Sequence, residues 1–230
     1  MKLPSWEIYL ILKDYSITGE TLIYDHDRLS KIYDKFTNFI SLYQTEISKR
    51  YQLSKLPKNG TVLELGCGNG EFAINCALKG LNTIGLDVSK KMINNAKARA
   101  SKLKIKNIKF INQDIFNFQT KTKFDYLILC YFLNVFPTEQ AVEKVITKAK
   151  TYLKPTGLIL IADELEPHNC VLKVIINLLR FPVFAIFKIT TNMEHHKIHD
   201  LRKILTKLDI KVVEEKRFLF QYCSILIGKL

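Results

Sequence analysis

The chain has 230 residues, of which 47% are hydrophobic and 25% are charged. These values are typical of a globular domain with a sizeable core, and they exclude a disordered or fibrous chain. Lys and Arg number 35 against 22 Asp and Glu, and the resulting net charge of +13 favours anionic partners without identifying one.

The first part of the chain, residues 1–57, carries apolar side chains at helical spacing, for example Ile32, Phe36 and Tyr43. This periodicity predicts a mostly helical, amphipathic region. We expect it to form a lid over the domain of residues 58–230.

From residue 61 onward, patterns typical of strands and of helices alternate five times, which predicts a doubly wound, mostly parallel α/β sheet. The predicted strands cover residues 61–65, 82–86, 107–112, 124–131 and 158–162. The helices between them begin at Glu71, after a Ser89 cap and at Thr138, and a Pro-Thr-Gly turn at 155–157 precedes the fifth strand.

The pattern changes after the fifth strand. Residues 164–197 are predicted to be a helical insertion, and a helix over 198–208 follows. Two β-rich runs, 211–217 and 222–227, then predict a C-terminal antiparallel hairpin that completes a seven-stranded sheet at one edge.

The first predicted strand leads into Gly66-Cys67-Gly68-Asn69-Gly70, directly before a helix. A strand, a glycine-rich turn and a helix N-terminus together form a cradle for an anion or a nucleotide. Glu64 just before the turn disfavours a pyrophosphate and favours a ligand with a cationic end. Asp87, at the end of the second strand, stands where an acid takes ribose hydroxyls in nucleotide-binding folds. S-adenosylmethionine combines a ribose with a cation and has no pyrophosphate.

This turn, together with Gly85-Leu86-Asp87-Val88-Ser89, Asn112-Gln113-Asp114-Ile115 and the strand 124–131, resembles the class I S-adenosylmethionine-dependent methyltransferases. The resemblance covers roughly residues 60–163 and implies a Rossmann-like enzyme with S-adenosyl-L-methionine as its cofactor. Within that superfamily, the core looks most like the ubiquinone/menaquinone C-methyltransferase-like group.

The resemblance also implies which residues hold the methionine part of the cofactor. These residues are Glu64, Gly66, Cys67, Gly68 and Cys130. Because a buried thiol is usually inert, we expect Cys67 and Cys130 to be small wall residues and not nucleophiles.

At the adenosine end, the resemblance implies that Asp87 holds the ribose and that Val88 and Ile115 pack beside the adenine. Asp114 would accept a hydrogen bond from the adenine amino group, although it could instead cap a turn. Tyr33 stands where related enzymes often place a tyrosine that covers the donor.

No catalytic base is predicted, because a sulfonium donor is already activated and methyl transfer depends mainly on alignment. The acceptor is expected beyond the carboxyl ends of the fourth and fifth strands. The candidate substrate contacts are Tyr24, Asn134, His168 and His195. His195 and His199 share a helical spacing, but nothing fixes a third ligand, so surface histidines and no metal site are predicted.

The segment 130–137 lacks the Asn/Asp-Pro-Pro-aromatic motif shared by methyltransferases that modify base or glutamine amino groups. This favours a small-molecule or lipid-like acceptor and disfavours nucleic acid. The apolar stretch 171–189 is typical of core packing, of a lid for an apolar acceptor, or of a peripheral membrane contact. Two alternatives stay open. One is an RNA or protein methyltransferase that uses the basic run 97–109, and the other is a non-enzymatic module that binds the cofactor.

The five cysteines include no C-x-x-C pair, which disfavours a disulfide scaffold or a zinc ribbon. A reducing, cytoplasmic location is therefore expected. We also expect no secretory signal, and the longest apolar stretch falls short of the roughly 20 uncharged residues that a membrane span needs.

Overall fold

The computed structural model describes residues 9–13, 21–25, 44–165, 170, 171, 174, 178, 198–218 and 223–230. Within these ranges, seven strands form one sheet: β3 (Thr61–Leu65), β4 (Asn82–Asp87), β5 (Ile108–Asn112), β6 (Phe124–Cys130), β7 (Leu153–Glu164), β8 (Lys211–Phe218) and β9 (Cys223–Lys229). A separate antiparallel hairpin consists of β1 (Tyr9–Lys13) and β2 (Thr21–Asp25). The α-helices whose first and last residues are both described are α1 (Gln44–Lys55), α2 (Glu71–Leu78), α3 (Lys90–Lys102), α4 (Glu139–Lys150) and α5 (Leu201–Lys207).

The strands of the sheet follow the order β5-β4-β3-β6-β7-β9-β8. The first five of these are parallel to one another, whereas β9 is antiparallel to both β7 and β8. The chain runs outward from β3 to β5 and then returns to place β6 on the other side of β3. Ligands of such sheets bind at the carboxyl ends of the strands where the order reverses, here between β3 and β6. The predicted doubly wound sheet with its C-terminal hairpin is confirmed.

Two apolar layers enclose the sheet because its central strands are apolar on both faces. Leu127 and Leu129 of β6 pack with Val145 of α4 in one cluster, while Ile128 packs with Phe72 of α2 in the other. Helix α1 joins the second layer and also contacts β7 and β9. This packing brings α1 next to the switch point of the sheet.

The predicted N-terminal helical region is wrong over part of its length. Residues 9–13 and 21–25 pair as the antiparallel strands β1 and β2, whereas the helical prediction holds for α1. The segments YLILK and TLIYD are short runs rich in β-branched, aromatic and leucine residues, and periodicity alone cannot distinguish such runs from buried helix. Residues 26–43, which include Tyr33, lie outside the described part of the chain.

The predicted Pro-Thr-Gly turn is also different in the structure, because β7 already begins at Leu153. Leu153 pairs with Phe124, but the next pair is Leu158 with Tyr126, so an irregularity in β7 absorbs the residues between. Pro155 has no N–H group for the ladder, which explains why the regular pairing resumes only after it.

The predicted insertion is described only in part. Backbone at positions 170, 171, 174 and 178 is helical, and the side chains of Val171, Val174 and Leu178 are exposed. Among the described helices, none combines the length and apolarity needed to cross a membrane.

Candidate functional site

Parallel strands end at the same edge of a sheet, and these ends collect the predicted cofactor residues. Glu64 lies near the end of β3, Asp87 ends β4 and Cys130 ends β6. Asp114 follows β5 by two residues, and Asp163 lies near the end of β7. Four of these five side chains are carboxyl groups at the same edge of the sheet, and Asp163 is the one that the sequence analysis did not place at the cofactor.

The glycine turn needs a backbone conformation that side chains disfavour. Gly66 and Gly68 have φ values of 69° and 52°, in the left-handed region that favours glycine. A Cβ atom on Gly68 would meet no atom of the described residues within 4 Å, so the turn is open there. A Cβ atom on Gly66 would lie 2.3 Å from Cδ2 of Phe132, so the Phe132 ring packs directly on that glycine.

The N–H groups of these two glycines are used inside the protein. Gly66 donates to the carbonyl of Leu86 at 2.8 Å, and Gly68 donates to Oδ2 of Asp87 at 2.8 Å. A phosphate cradle instead needs free N–H groups that point at the ligand. With its amides paired and Glu64 buried below, the turn is unsuited to a pyrophosphate and suited to a cation.

Asp87 fixes the turn and keeps capacity for a ligand. Its Oδ2 atom holds Gly68, and its Oδ1 atom accepts from the N–H of Ser89 at 2.8 Å. Burial raises the pKa of Asp87 above its ordinary value. The hydrogen bonds from the N–H groups of Ser89 and Gly68 lower this pKa, but by less than burial raises it. Because each carboxylate oxygen accepts about two hydrogen bonds, the half-buried Asp87 can also receive ribose hydroxyls, and that role stays a prediction.

On the predicted adenine side, Asp114 also has a local role. Its Oδ1 atom accepts from the N–H of Phe116 at 2.7 Å, which is the turn-capping alternative. Ile115 is buried in the core, and Val88 is half-buried with its carbonyl bound to the side chain of Asn112 at 2.7 Å. The adenine contacts of Asp114, Ile115 and Val88 stay predictions.

Glu64 is a buried carboxyl with unused bonding capacity. Glu64 is only 3% exposed, and its Oε2 atom has no hydrogen-bond partner among the described residues. Burial raises its pKa to about 8, although the charge of Lys49 and the N–H of Ala73 favour the ionised form. Such a group gains from a cationic ligand, which would favour its charged form.

The charge beside Glu64 comes from a residue that the sequence did not single out. Nζ of Lys49, on α1, lies 2.5 Å from Oε2 of Glu71, the first residue of α2. Burial lowers the pKa of Lys49, but the neighbouring Cys130, Glu71 and Glu64 raise it above its ordinary value. No motif marks Lys49, because it lies on a polar helix that only the tertiary packing brings to the glycine turn.

The segment after β6 is held by a buried acid. Oδ2 of Asp163, a residue 3% exposed, accepts from the N–H of Leu133 at 3.1 Å, and burial raises the Asp163 pKa to about 7. Asn134, a predicted substrate contact, is buried in the adjoining 3₁₀ turn, and its Oδ1 atom has no partner among the described residues. Tyr131 takes a φ of 52°, which is unusual for a bulky residue, and its hydroxyl lies 3.2 Å from Oγ of Ser48.

The other predicted acceptor contacts stay predictions. Tyr24 lies on β2 of the separate hairpin, whereas His168 and His195 lie outside the described residues. His199 was expected at the surface, but it is 3% exposed, and its Nε2 atom lies 2.8 Å from the carbonyl of Phe136. In the described ranges, no group of three or more His, Cys, Asp or Glu residues could hold a metal ion.

Cys67, Cys76, Cys130 and Cys170 carry free thiols. Burial raises the pKa of the Cys67, Cys76 and Cys130 thiols, which favours the unreactive protonated form. Cys67 packs with Ala73 and Phe110, as expected for a small wall residue.

Comparison with known proteins matches residues 56–224 to a family described as a methyltransferase domain. The chain belongs to this family. It is 30% identical over 147 residues to the Bacillus subtilis (strain 168) protein YqeM, which is named a methyltransferase, covering 62% of this chain and 53% of that protein. The chain spans about half the length of the curated relatives it matches.

Solved structures of methyltransferases share the fold. Magnesium protoporphyrin IX methyltransferase (ChlM) of Synechocystis PCC 6803, with bound SAM, superposes with a TM-score of 0.61 at 21% identity, covering 88% of this chain and 89% of that one. The N-methyltransferase NodS of Bradyrhizobium japonicum, in complex with S-adenosyl-L-homocysteine, gives a TM-score of 0.61 at 17% identity, covering 89% and 92%. The predicted class I fold and the methyltransferase family are thereby confirmed.

Proposed function

We propose that this chain transfers the methyl group of S-adenosylmethionine to a small-molecule or lipid-like acceptor. One observation carries this proposal: the turn at Gly68 meets no described side chain and lies beside Glu64, a buried acid with one oxygen that has no partner among the described residues. A Cβ on Gly68 would meet no described atom within 4 Å, and Oε2 of Glu64 has no hydrogen-bond partner among the described residues.

The residues present fit the cofactor. S-adenosylmethionine supplies a methyl group that its sulfonium has already activated. Glu64 would neutralise the cationic end and Asp87 would hold the ribose, while Val88, Asp114 and Ile115 would contact the adenine. The remaining work of the protein is to hold the acceptor in line and to exclude water, for which no base is required.

An apolar acceptor is supported by the walls next to the turn. The rings of Phe132 and Phe136 meet edge to face with centroids 5.3 Å apart, and Phe132 packs on Gly66. Enzymes of the same fold include proteins whose names state small-molecule acceptors, such as magnesium protoporphyrin IX. The likeness of the core to the ubiquinone/menaquinone C-methyltransferase-like group belongs to this proposal and favours a planar acceptor.

Two further parts of the proposal concern contact with a lipid surface and the cellular compartment. The exposed Val171, Val174 and Leu178 lie at a helical spacing and support a peripheral contact with a lipid surface. The free thiols, among them the exposed Cys170, support a reducing, cytoplasmic location.

The direct test is binding of S-adenosylmethionine and S-adenosylhomocysteine by calorimetry, with Gly68→Ala as the variant. The added methyl group meets no described atom within 4 Å, so the variant is expected to fold at a backbone cost of about 1–2 kcal/mol while blocking the cradle. Gly60→Ala, at the opposite end of β3 and also at positive φ, is the control that loses stability without losing cofactor affinity. Absence of binding to either molecule by the wild-type chain would refute the proposal.

Transfer of labelled methyl groups separates the proposal from its alternatives. Label in small-molecule or lipid extracts supports it. Label in RNA or protein would instead favour a partner for the basic run, in which Lys97, Lys102, Lys104, Lys106 and Lys109 are all exposed. Tight cofactor binding with no transfer to any extract would favour a non-enzymatic module.

A further inference from the structure

The segments that lead into the parallel strands carry lysine and no acid. Four neighbouring strands, β5, β4, β3 and β6, begin at one edge of the sheet because they are parallel. The segments before them are residues 102–107, 78–81, 56–60 and 119–123. Together they contain seven Lys and no Asp, Glu, Arg, Phe, Tyr or Trp. We call these four segments the basic edge, and it lies opposite the carboxyl ends of the same strands.

Described contacts join three segments of the basic edge into one surface. The side-chain nitrogen of Asn107 donates to the carbonyls of Ala77 and Leu81, at 2.8 Å and 2.9 Å. A Cβ atom on Gly80 would lie 2.4 Å from the carbonyl oxygen of Lys58, so the segments before β3 and β4 touch there. The backbone therefore holds the lysines of these three segments on a single continuous surface.

The charge of the basic edge is not neutralised within the part of the chain that the structure describes. Five of its lysines are exposed and form no ion pair with a described residue: Lys58, Lys102, Lys104, Lys106 and Lys121. Asp125, at the start of β6, is already paired with Lys154 at 2.8 Å. Like charges that are held together without counter-charges favour an anionic partner.

Two leucines are exposed between these lysines. Leu78 is 61% exposed and precedes Lys79, and Leu103 is 53% exposed between Lys102 and Lys104. Aliphatic side chains among lysines suit the boundary between lipid head groups and acyl chains. Proteins bind nucleic acid largely through Arg and through aromatic rings that stack on bases, and the basic edge has neither side chain. The residue types therefore favour a lipid surface over RNA.

We propose that the basic edge docks this protein on an anionic lipid bilayer, with its lysines at the head groups and Leu78 and Leu103 inserted among them. The surface does not include the exposed residues at 171, 174 and 178, and the proposal does not rest on the methyltransferase activity. Each lysine close to an anionic bilayer strengthens binding roughly fivefold, so several together give a firm contact that salt weakens. The carboxyl ends of the strands then lie on the side away from the bilayer.

The test is sedimentation of the chain with vesicles of phosphatidylcholine, either alone or mixed in equal parts with phosphatidylglycerol. The wild type is expected to bind the mixed vesicles far more tightly, and less tightly as the salt concentration rises. A combined variant, Lys102→Gln with Lys104→Gln and Lys106→Gln, removes three charges and weakens this binding about 100-fold. Leu78→Ser with Leu103→Ser keeps every charge and weakens binding about tenfold, because the apolar contact is lost.

A matched control removes three charges outside the basic edge. Lys90→Gln, Lys203→Gln and Lys216→Gln together give the same net charge as the lysine variant, and all three side chains are exposed. This control keeps its affinity for the mixed vesicles within about threefold, because charges farther than a Debye length from the bilayer are screened. Every substituted side chain is exposed, so all variants are expected to fold like the wild type, which circular dichroism checks.

Several outcomes would overturn the proposal. They are no preference of the wild type for the mixed vesicles, an equal loss in the matched control, and unchanged binding after the two leucine changes. Loss of binding in Val171→Ser with Val174→Ser and Leu178→Ser, but not in the lysine variant, would place the lipid contact elsewhere.

RNA provides the last arm of the test. Binding of a single-stranded RNA oligonucleotide that depends on Lys102, Lys104 and Lys106, without binding to vesicles, would make nucleic acid the partner and overturn the proposal. Calorimetry with S-adenosylmethionine is expected to give the same affinity for the lysine variant as for the wild type. Failure of the lipid contact therefore leaves the proposed function standing, and failure of cofactor binding leaves the lipid contact standing.

Discussion

Replacing Glu64 by Gln should make the protein more stable than the wild type at alkaline pH. The pKa of this carboxyl stands at about 8 in the folded chain against an ordinary value of 4.5, chiefly because the group is buried. An acid with a raised folded-state pKa contributes stability at low pH and loses it as the pH rises through the folded pKa. Gln has nearly the same shape and does not titrate.

The magnitude follows from the two pKa values. At pH 5 the folded wild type carries a neutral Glu64, so wild type and variant are similarly stable. Between pH 5 and pH 9 the wild type loses about 4 kcal/mol relative to Glu64→Gln, at 1.36 kcal/mol for each of the three pH units up to 8. This is a large share of the roughly 5–15 kcal/mol that stabilises a typical domain.

Urea unfolding at pH 5, 7 and 9, without cofactor, measures the difference. Asp163 also titrates in this range, but it is present in both proteins and cancels from the comparison. Glu143→Gln is the control, since that carboxyl is 21% exposed and pairs with Lys207 instead of Lys49, and its stability difference from the wild type is expected to change little between pH 5 and pH 9. A stability difference between wild type and Glu64→Gln that changes by less than about 1 kcal/mol from pH 5 to pH 9 would show that Glu64 is not a buried, poorly solvated acid.

Three other results are expected. Asp87→Asn weakens cofactor binding about 10- to 100-fold by calorimetry because it removes a charged acceptor, and unchanged affinity would contradict the ribose assignment. Asp163→Asn speeds hydrogen exchange at the Leu133 amide about tenfold at pH 8, because a charged acceptor is lost; equal rates would show that the carboxylate does not hold this segment. Cys170→Ser removes one thiol equivalent from the fast phase of a thiol-labelling assay on the native protein, because this thiol is exposed; an unchanged fast phase would place the reactive thiol elsewhere.

The core of the fold was predictable because its signals are local. The apolar run at β3, the glycine turn and the Ser89 cap, whose hydroxyl accepts from the N–H of Met92 at 3.2 Å, all lie within a few residues of what they determine. The same holds for Asp87, whose place at the end of β4 follows from the length of the strand.

The features that sequence reasoning missed depend on contacts between distant segments. Lys49 reaches the site only because α1 packs on the same layer as α2, and no spacing in the sequence records that packing. His199 is buried, and its Nε2 atom contacts the carbonyl of Phe136, which lies 63 residues earlier in the chain. The β1–β2 hairpin was missed for another reason, since five-residue apolar runs are compatible with either periodicity.

The glycine turn is held by segments that come later in the chain. Gly66 donates to Leu86, Gly68 donates to Asp87, and the carbonyl of Asn69 accepts from Arg99 of α3 at 3.2 Å. A fragment that stops before β4 would contain all five residues of the turn and yet lack the anchors that shape it. During synthesis, the turn therefore lacks these three anchors until β4 and α3 have emerged.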